Sequence, residues 1–466
     1  MKYQNKKITD LKIAYIGGGS RGWAWTFMND LSMEPALSGT MRLYDLDREA
    51  AHHNEIIGNA LSAQENRSGK WNYTTVESLK EALTGIDFVV ISILPGTFDE
   101  MESDVHLPER CGIYQSVGDT AGPGGLVRAL RTLPMFTVIA NAIKTYAPNA
   151  WVINYTNPMS LCIKELYRVF PEIKAFGCCH EVFGTQKVLR DICQKELGLT
   201  DVERNEILVN VLGINHFTWF DKASYKGIDL FPVYRNYVDA HFEDGYQEPD
   251  KNWANNTFEC SHRVKFDLFR RYGLIAAAGD RHLAEFMPGR MYLNDPETVK
   301  KWKFGLTTVQ WRKEDLQKRL ARSARLVSGE EKMADAPSGE EGILLIKALC
   351  GLESVVSNVN VPNTNHQIAN LPTDTIVETN ALFRRDSIQP VAAGNVPPQI
   401  HALLAPHVEN HTLILKAASE CNFDDAFTAF MMDPLVAGRI SPEEGRTLLR
   451  EMLVNTKKYL PQAWNL

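Results

Sequence analysis

Five short stretches hold the residue types able to do chemistry: SVGDTAGPGG around Asp119, NYTNPM around Asn157, GCCHE with Cys178, Cys179 and His180, GINHFTW with Asn215 and His216, and AAAGDRHLAEF with Asp280, Arg281, His282 and Glu285. A thiolate and an imidazole are good ligands for a divalent metal. Two protein ligands leave positions open for substrate oxygens and water, which suits a catalytic ion. Neighbouring side chains in extended chain point to opposite sides, so Cys179 and His180 are not expected to share one ion. Cys179 and His216 are therefore assigned to the metal, and His180 stays free as an acid or base. The plainer alternative is an inert core cysteine and a structural histidine. Asn157, held by Pro158, can present its amide to a sugar hydroxyl or a nicotinamide; the same pair also makes an Asn-Pro turn. The glycine-rich loop at Asp119 reads equally as a ligand-wrapping loop or a capped helix start. Asp280 reads either as a site carboxylate or as the cap of a solvated helix.

The segment LKIAYIGGGSRGW contains G-x-G-x-x-G as Gly17, Gly19 and Gly22, with Ser20 inside the turn. An apolar strand precedes it, a helix follows, and Asp45 ends the next strand in MRLYDLD. Such glycines let the backbone approach a pyrophosphate, which the helix amides receive. Asp45 would accept the adenosine ribose hydroxyls and disfavour a 2′-phosphate, so NAD is expected rather than NADP. The alternatives are a plain glycine turn, and Asp45 as a cap for the helix near Glu49.

These stretches need elements to position them. Strands are expected at Leu11–Ile16, Met41–Tyr44, Asp87–Leu94, Trp151–Tyr155 and Ile173–Cys178, alternating with helices at Trp23–Leu31, Glu49–Ala60, Gly125–Tyr146 and Leu161–Val169. That alternation predicts an α/β fold with a doubly wound parallel Rossmann sheet. Beyond residue 195 the pattern changes to a strand at Ile207–Ile214, longer helices at Glu314–Leu326, Glu340–Val355 and Glu443–Leu460, and a strand-like piece at Thr375–Thr379. The expected division is 1–197 for the dinucleotide domain and 198–466 for a mixed, largely helical second domain.

The chain of 466 residues, 44% hydrophobic and 23% charged with net charge −7, has no bulk attraction to nucleic acid or to an anionic membrane. The first ten residues have no apolar core, and the run Phe88–Leu94 is too short to span a bilayer. Eight irregularly spaced cysteines read as free thiols in a cytoplasmic protein.

In this order, IGGGSRGW, VGDTAGPGG, INYTNPMS, GCCHE and GINHFTW resemble glycoside hydrolase family 4 over nearly the whole chain, and HLPERCGIYQSVGDT, GCCHEVFGTQK and AAGDRHLAEF are most similar to its α-galacturonidase branch. The resemblance implies a second domain like that of lactate and malate dehydrogenases, NAD, a divalent metal (usually Mn²⁺), and a homodimer or homotetramer acting on a small glycoside. It implies metal binding by Cys179 and His216 and substrate binding by Asn157, with Asp119 and Arg281 as further substrate contacts. It suggests Asp280 as the base at carbon 2 in place of the tyrosine of some members, and His180 as the acid. An arginine that follows the third strand in phospho-glucosidases falls near Met101, which argues against phosphorylated substrates. A galacturonide carboxylate would need a cation, for which Arg281 and Arg290 are candidates. The implied mechanism is oxidation at carbon 3, elimination, water addition and re-reduction, an exception to two-carboxylate hydrolysis. Rival readings are an α-galactosidase, α-glucosidase or α-glucuronidase of the same family, a sugar or hydroxy-acid dehydrogenase that consumes NAD, and a non-enzymatic NAD-sensing protein.

Overall fold

The computed structural model describes residues 1–246, 253, 256 and 258–466. Six parallel strands centre its larger sheet: Lys7–Ile16, Leu37–Tyr44, Trp71–Thr75, Phe88–Ile91, Trp151–Asn154 and Lys174–Gly177. They lie side by side as third, second, first, fourth, fifth and sixth. This Rossmann order opens a crevice at the carboxyl ends, where the winding direction reverses between the first and fourth strands. Ile13, Tyr15, Phe88, Val90 and Ile153 enter the core on one face. Ala14, Ile16, Val89, Ile91 and Val152 enter the core on the other. Burial on both faces is why these strands read as unbroken apolar runs.

The intervening helices run Trp23–Met33, Arg48–Ala63, Gly122–Tyr146 and Met159–Val169, followed by Glu181–Leu197 after the last parallel strand. Gly122–Tyr146 is long and apolar enough to cross a membrane, but 67% of that window is buried inside the protein. Its Leu126, Leu130 and Leu133 pack into the second domain, and its Phe136, Ile139 and Ile143 against the parallel sheet. It thus joins the two halves.

The helix expected over 340–355 is shorter. It covers Gly342–Leu349, and after Gly351, with φ +81°, the chain becomes the strand Val355–Pro362. The β-branched alternation in VVSNVNV favours extended chain. This strand, Ile376–Arg384 and Ser387–Pro390 add three antiparallel strands to the edge of the parallel sheet, through Asn360 opposite Gly177. Residues from the second half of the chain therefore complete the first sheet.

The rest of the second half is largely helical around a small antiparallel sheet of Ile207–Ile214, Phe217–Tyr225, Ile228–Asp229 and Ile275–Ala276. The long helix Val309–Ser328 packs on Arg48–Ala63, while Pro398–Glu420 and Pro442–Asn455 pack on Gly122–Tyr146. All eight cysteines are free thiols.

Candidate active site

The glycine turn follows the first strand. Gly17 takes φ +93°, and a Cβ there would run into the carbonyl oxygen of Ser92. The amides of Gly17 and Gly18 each donate to the Tyr44 carbonyl at 2.9 Å, and the Ser20 amide to the Gly17 carbonyl at 3.0 Å. The Gly19 amide donates to Asp45 Oδ2 at 2.8 Å, which places the carboxylate at the turn. Burial raises the pKa of Asp45. Asp47, not Asp45, caps the helix Arg48–Ala63 by accepting the Ala50 amide at 3.0 Å. The helix after the turn starts at Gly22 with no side-chain cap and no acid in its first turn. Its first amides are left for an anion. Turn, uncapped helix and carboxylate together fit a dinucleotide.

The second centre is built by three segments. Ile214 pairs with Phe217, so Asn215 and His216 form the two-residue hairpin between them. His216 has φ +64°, uncommon for a residue other than glycine. Ala276 pairs with Trp219, and the Ala277 amide donates to the Thr218 carbonyl at 2.7 Å. The helix Asp280–Phe286 that follows therefore lays His282 on His216, with ring centroids 3.9 Å apart. The loop 116–120 closes the third side. The Val117 and Gly118 amides donate to Glu285 Oε1 at 2.7 and 2.9 Å, and the Ser116 hydroxyl to the Arg281 carbonyl at 2.5 Å. Thr120 Oγ1 then lies 2.9 Å from His216 Nδ1 and 2.8 Å from Asp119 Oδ1. Ligand atoms of Asp119, His216 and His282 all fall within 4.8 Å of one another.

Charges sort accordingly. Burial first, then the neighbouring His282, pull His216 down to about 3. Burial raises Asp119, but Arg128, His282, His216 and Arg312 outweigh it and hold the carboxyl well below the usual range. Asp119 is thus held as an anion, chiefly by Arg128.

The structure does not put Cys179 among the three clustered ligands. Its buried thiol is pushed well up by burial and by the nearby Glu378. Glu378 accepts from Asn358 Nδ2 at 2.6 Å and Asn215 Nδ2 at 3.3 Å, and Asn358 Nδ2 also reaches the Cys179 carbonyl at 3.2 Å. Cys179 and the hairpin carrying His216 are therefore pinned to one carboxylate. A thiol in that position can still be deprotonated by a cation, which inverts the local preference.

His180 is 49% exposed, 3.6 Å from Glu340 and 3.8 Å from Glu181, with its ring 5.8 Å from that of Trp23 in the helix after the glycine turn. Glu181 also lies 3.8 Å from His282. Burial would raise its pKa, yet His282, His180 and His216 hold it at about 2. A continuous path thus runs from the dinucleotide turn through Trp23, His180, Glu181 and His282 to His216.

Sequence reasoning did not single out Glu181, and it counted His282 in the cluster with Asp280, Arg281 and Glu285 without giving it a role. Both sit inside quoted motifs, and the signal was their spacing of one and two residues from His180 and Asp280. Asn157 carries its carbonyl on Arg128 Nε at 3.2 Å, while its buried Oδ1 has no hydrogen-bond partner among the described residues. Asp280 is buried, with its oxygens on the Val264 and Lys265 amides. Arg281 is buried with Nη2 on the Ser116 carbonyl and Thr307 hydroxyl, and Arg290 is exposed. Two cations not singled out from sequence, Arg128 and Arg312, face Asp119 instead. Met101 is buried against Val309.

Residues 12–195 match the family 4 glycosyl hydrolases, and residues 211–436 match the C-terminal domain of the same family. The chain is 66% identical over its full length, and that of the relative, to an α-galacturonidase of Lachnoclostridium phytofermentans. The solved structure of Bacillus subtilis lplD superposes with a TM-score of 0.91 at 51% identity, covering 96% of this chain and 100% of that one. A 6-phospho-α-glucosidase from gut microorganisms, solved with NAD and Mn²⁺, shares the fold at a TM-score of 0.78 and 20% identity, covering 97% and 99% of the two chains. With two matched segments that together span most of its length, the chain belongs to the family 4 glycosyl hydrolases.

Proposed function

We propose that the protein is an NAD- and Mn²⁺-dependent α-galacturonidase, working in the cytoplasm as a homodimer or homotetramer. The observation that carries this reading is the unbroken path from the glycine turn through Trp23, His180, Glu181 and His282 to His216. This path supports a dinucleotide and a metal acting on one substrate. The 66% identical α-galacturonidase supports the sugar.

When bound, the dinucleotide supplies reversible hydride transfer at carbon 3 of the sugar, and the divalent ion supplies Lewis acidity beside it. Gly17, Gly19, Ser20 and Gly22 wrap the diphosphate, and Asp45 accepts the ribose hydroxyls. Cys179 and His216 hold the ion. The free Oδ1 of Asn157 accepts a sugar hydroxyl. Asp119 orders the substrate side of the same pocket. Arg128 and Arg312, the cations around Asp119, receive the uronate carboxylate, while Arg281 stays committed to Ser116 and Thr307. His180, exposed and beside two carboxylates, delivers the proton to the leaving glycosidic oxygen.

A panel of 4-nitrophenyl α- and β-glycosides, with and without a uronate carboxylate, tests this. Cleavage of the α-galacturonide that needs NAD and Mn²⁺ and leaves no net NADH is expected. Equal rates on the neutral α-galactoside contradict the uronide assignment, and net NADH with free sugar acid makes the protein a dehydrogenase.

A further inference from the structure

The helix Trp23–Met33 faces the helix Val309–Ser328 across a cleft of about 520 Å³, a size usual for small-ligand sites. Gly22, Trp25 and Asn29 line one side, three and four residues apart and so on one helical face. Lys318, Arg319, Arg322 and Arg325 line the other at the same spacing, and Arg21 adds a fifth cation. Gly17, Gly19, Ser20 and Asp45 do not line it, so the cleft adjoins the dinucleotide turn without being part of it.

A basic helix face is ordinarily a solvated one, with its charges paired along the helix. Here the pairing is incomplete. Arg319 reaches Asp315 at 2.6 Å, Arg322 and Arg325 share Glu331 at 2.7 and 2.9 Å, and Arg21 lies 3.7 Å from Asp47. Lys318 makes no ion pair among the described residues. Five cations thus meet three carboxylates, which leaves two positive charges over. Like charges three and four residues apart on a helix repel, and an anion between them relieves this.

Two buried polar atoms add to the charge. Asn29 is 7% exposed; its Nδ2 donates to the Ala336 carbonyl at 2.9 Å, while its buried Oδ1 has no hydrogen-bond partner among the described residues. Arg21 Nε is likewise buried without a partner. An acceptor and a cationic donor left over at one cleft suit a ligand that brings both a hydroxyl and an anionic oxygen. The walls are already braced. The Arg322 guanidinium lies 5.4 Å from the Trp25 ring centroid, and Trp25 Nε1 donates to Asn54 Oδ1 at 2.7 Å. Arg319 Nη1 donates to the Arg21 carbonyl at 3.0 Å, and a Cβ on Gly22 would lie 2.5 Å from that nitrogen. The third glycine of the G-x-G-x-x-G motif is therefore the space in which Arg319 lies. Guanidiniums fixed in this way lose little freedom on meeting an anion.

We infer that this cleft is a second ligand site, which takes a hydroxylated polyanion: a sugar carrying carboxylate or phosphate groups. Lys318 and the guanidiniums hold the anionic groups, and Asn29 Oδ1 accepts a hydroxyl. The site does not rest on the galacturonidase reading.

Calorimetric titration of the NAD-loaded protein tests it without turnover. The probes are galactarate, a hydroxylated dicarboxylate with no glycosidic bond, and glucose 6-phosphate. At least one is expected to bind saturably, and the tighter of the two names the anionic group. Lys318→Ala and Arg322→Ala should each weaken that binding at least about tenfold, and Lys318→Arg should keep it, with NAD affinity unchanged in all three. If Arg322→Ala no longer binds NAD, the two Lys318 variants decide. No saturable binding of either probe overturns the inference. So does binding that the alanine variants retain, which puts the probe at the catalytic centre, or binding that rising NAD displaces, which puts it on the dinucleotide turn. Inorganic sulfate binding as tightly as the better probe overturns it too, because the site would then read charge alone.

Discussion

Asp280 and Lys265 are joined through the main chain: Asp280 Oδ1 accepts the Lys265 amide at 3.1 Å, while Oδ2 accepts that of Val264 at the same distance. These amides open the helix Arg263–Tyr272, whose own cap, His262, offers no side-chain bond. Asp280 thus caps one helix from the first position of another. Burial pushes its carboxyl up to about 6, against Lys265 and those amides. Its carboxyl lies within 4.8 Å of the ligand atoms of Cys260 and His262 and beside Lys265.

Asp280→Asn removes one acceptor from this cap. It is expected to destabilise the fold by about 1–2 kcal/mol, read by chemical denaturation. The folded variant should still place solvent deuterium on carbon 2 of the sugar. Loss of that exchange with stability intact would assign Asp280 as the base.

Glu285 gives a pH signature of the same origin. Burial raises it from 4.5 to about 7, even though the Val117 and Gly118 amides favour its ionised form. Because its folded pKa lies above the unfolded one, its contribution is fully present below pH 4.5 and is lost as pH rises towards about 7. Glu285→Gln keeps an acceptor for the two amides and removes the charge. Relative to wild type, it should gain about 1–3 kcal/mol between pH 4.5 and 8, measured as the difference between their denaturation curves. A constant difference across that range contradicts the burial argument.

Arg312 comes from the helix Val309–Ser328 and faces Asp119, with Nη2 on the Val117 carbonyl at 3.5 Å. Arg312→Ala should lower kcat/KM on the α-galacturonide at least about tenfold, as for loss of a charge-assisted contact. The ratio of α-galactoside to α-galacturonide turnover should rise. Parallel loss on both substrates would make Arg312 structural.

Gly17→Ala places a methyl group on the Ser92 carbonyl, at a backbone angle that alanine adopts with strain. NAD affinity is expected to fall at least about tenfold, with stability lower by about 1–3 kcal/mol. Fluorescence titration with NAD measures the first, and thermal melting the second.

Much of this was legible in the chain. The parallel strands announce themselves because both faces are buried, and four strand ends bring Gly17, Asp45, Asn157 and Cys179 to the same edge. The antiparallel extension was not legible. LLIKALC is apolar at helical spacing, and the change to VVSNVNV falls a few residues later, so the two merge into one apparent helix. The roles of Glu181 and His282 escaped because a single acid or imidazole has no periodicity, and their meeting depends on the pairing of Ile275–Ala276 with Phe217–Tyr225. Arg312 escaped because a basic helix face reads as solvated until the loop 116–120 is seen beside it.

The central claim, that NAD cycles within a glycosidase, is tested most directly by turning over 4-nitrophenyl α-galacturonide in deuterated water with NAD and Mn²⁺. Oxidation at carbon 3 makes the carbon 2 proton exchangeable, and the dinucleotide is restored at the end of each cycle. The account predicts released galacturonate carrying deuterium at carbon 2 and no net NADH. Galacturonate without deuterium at that carbon, or NADH accumulating in step with sugar, would contradict it.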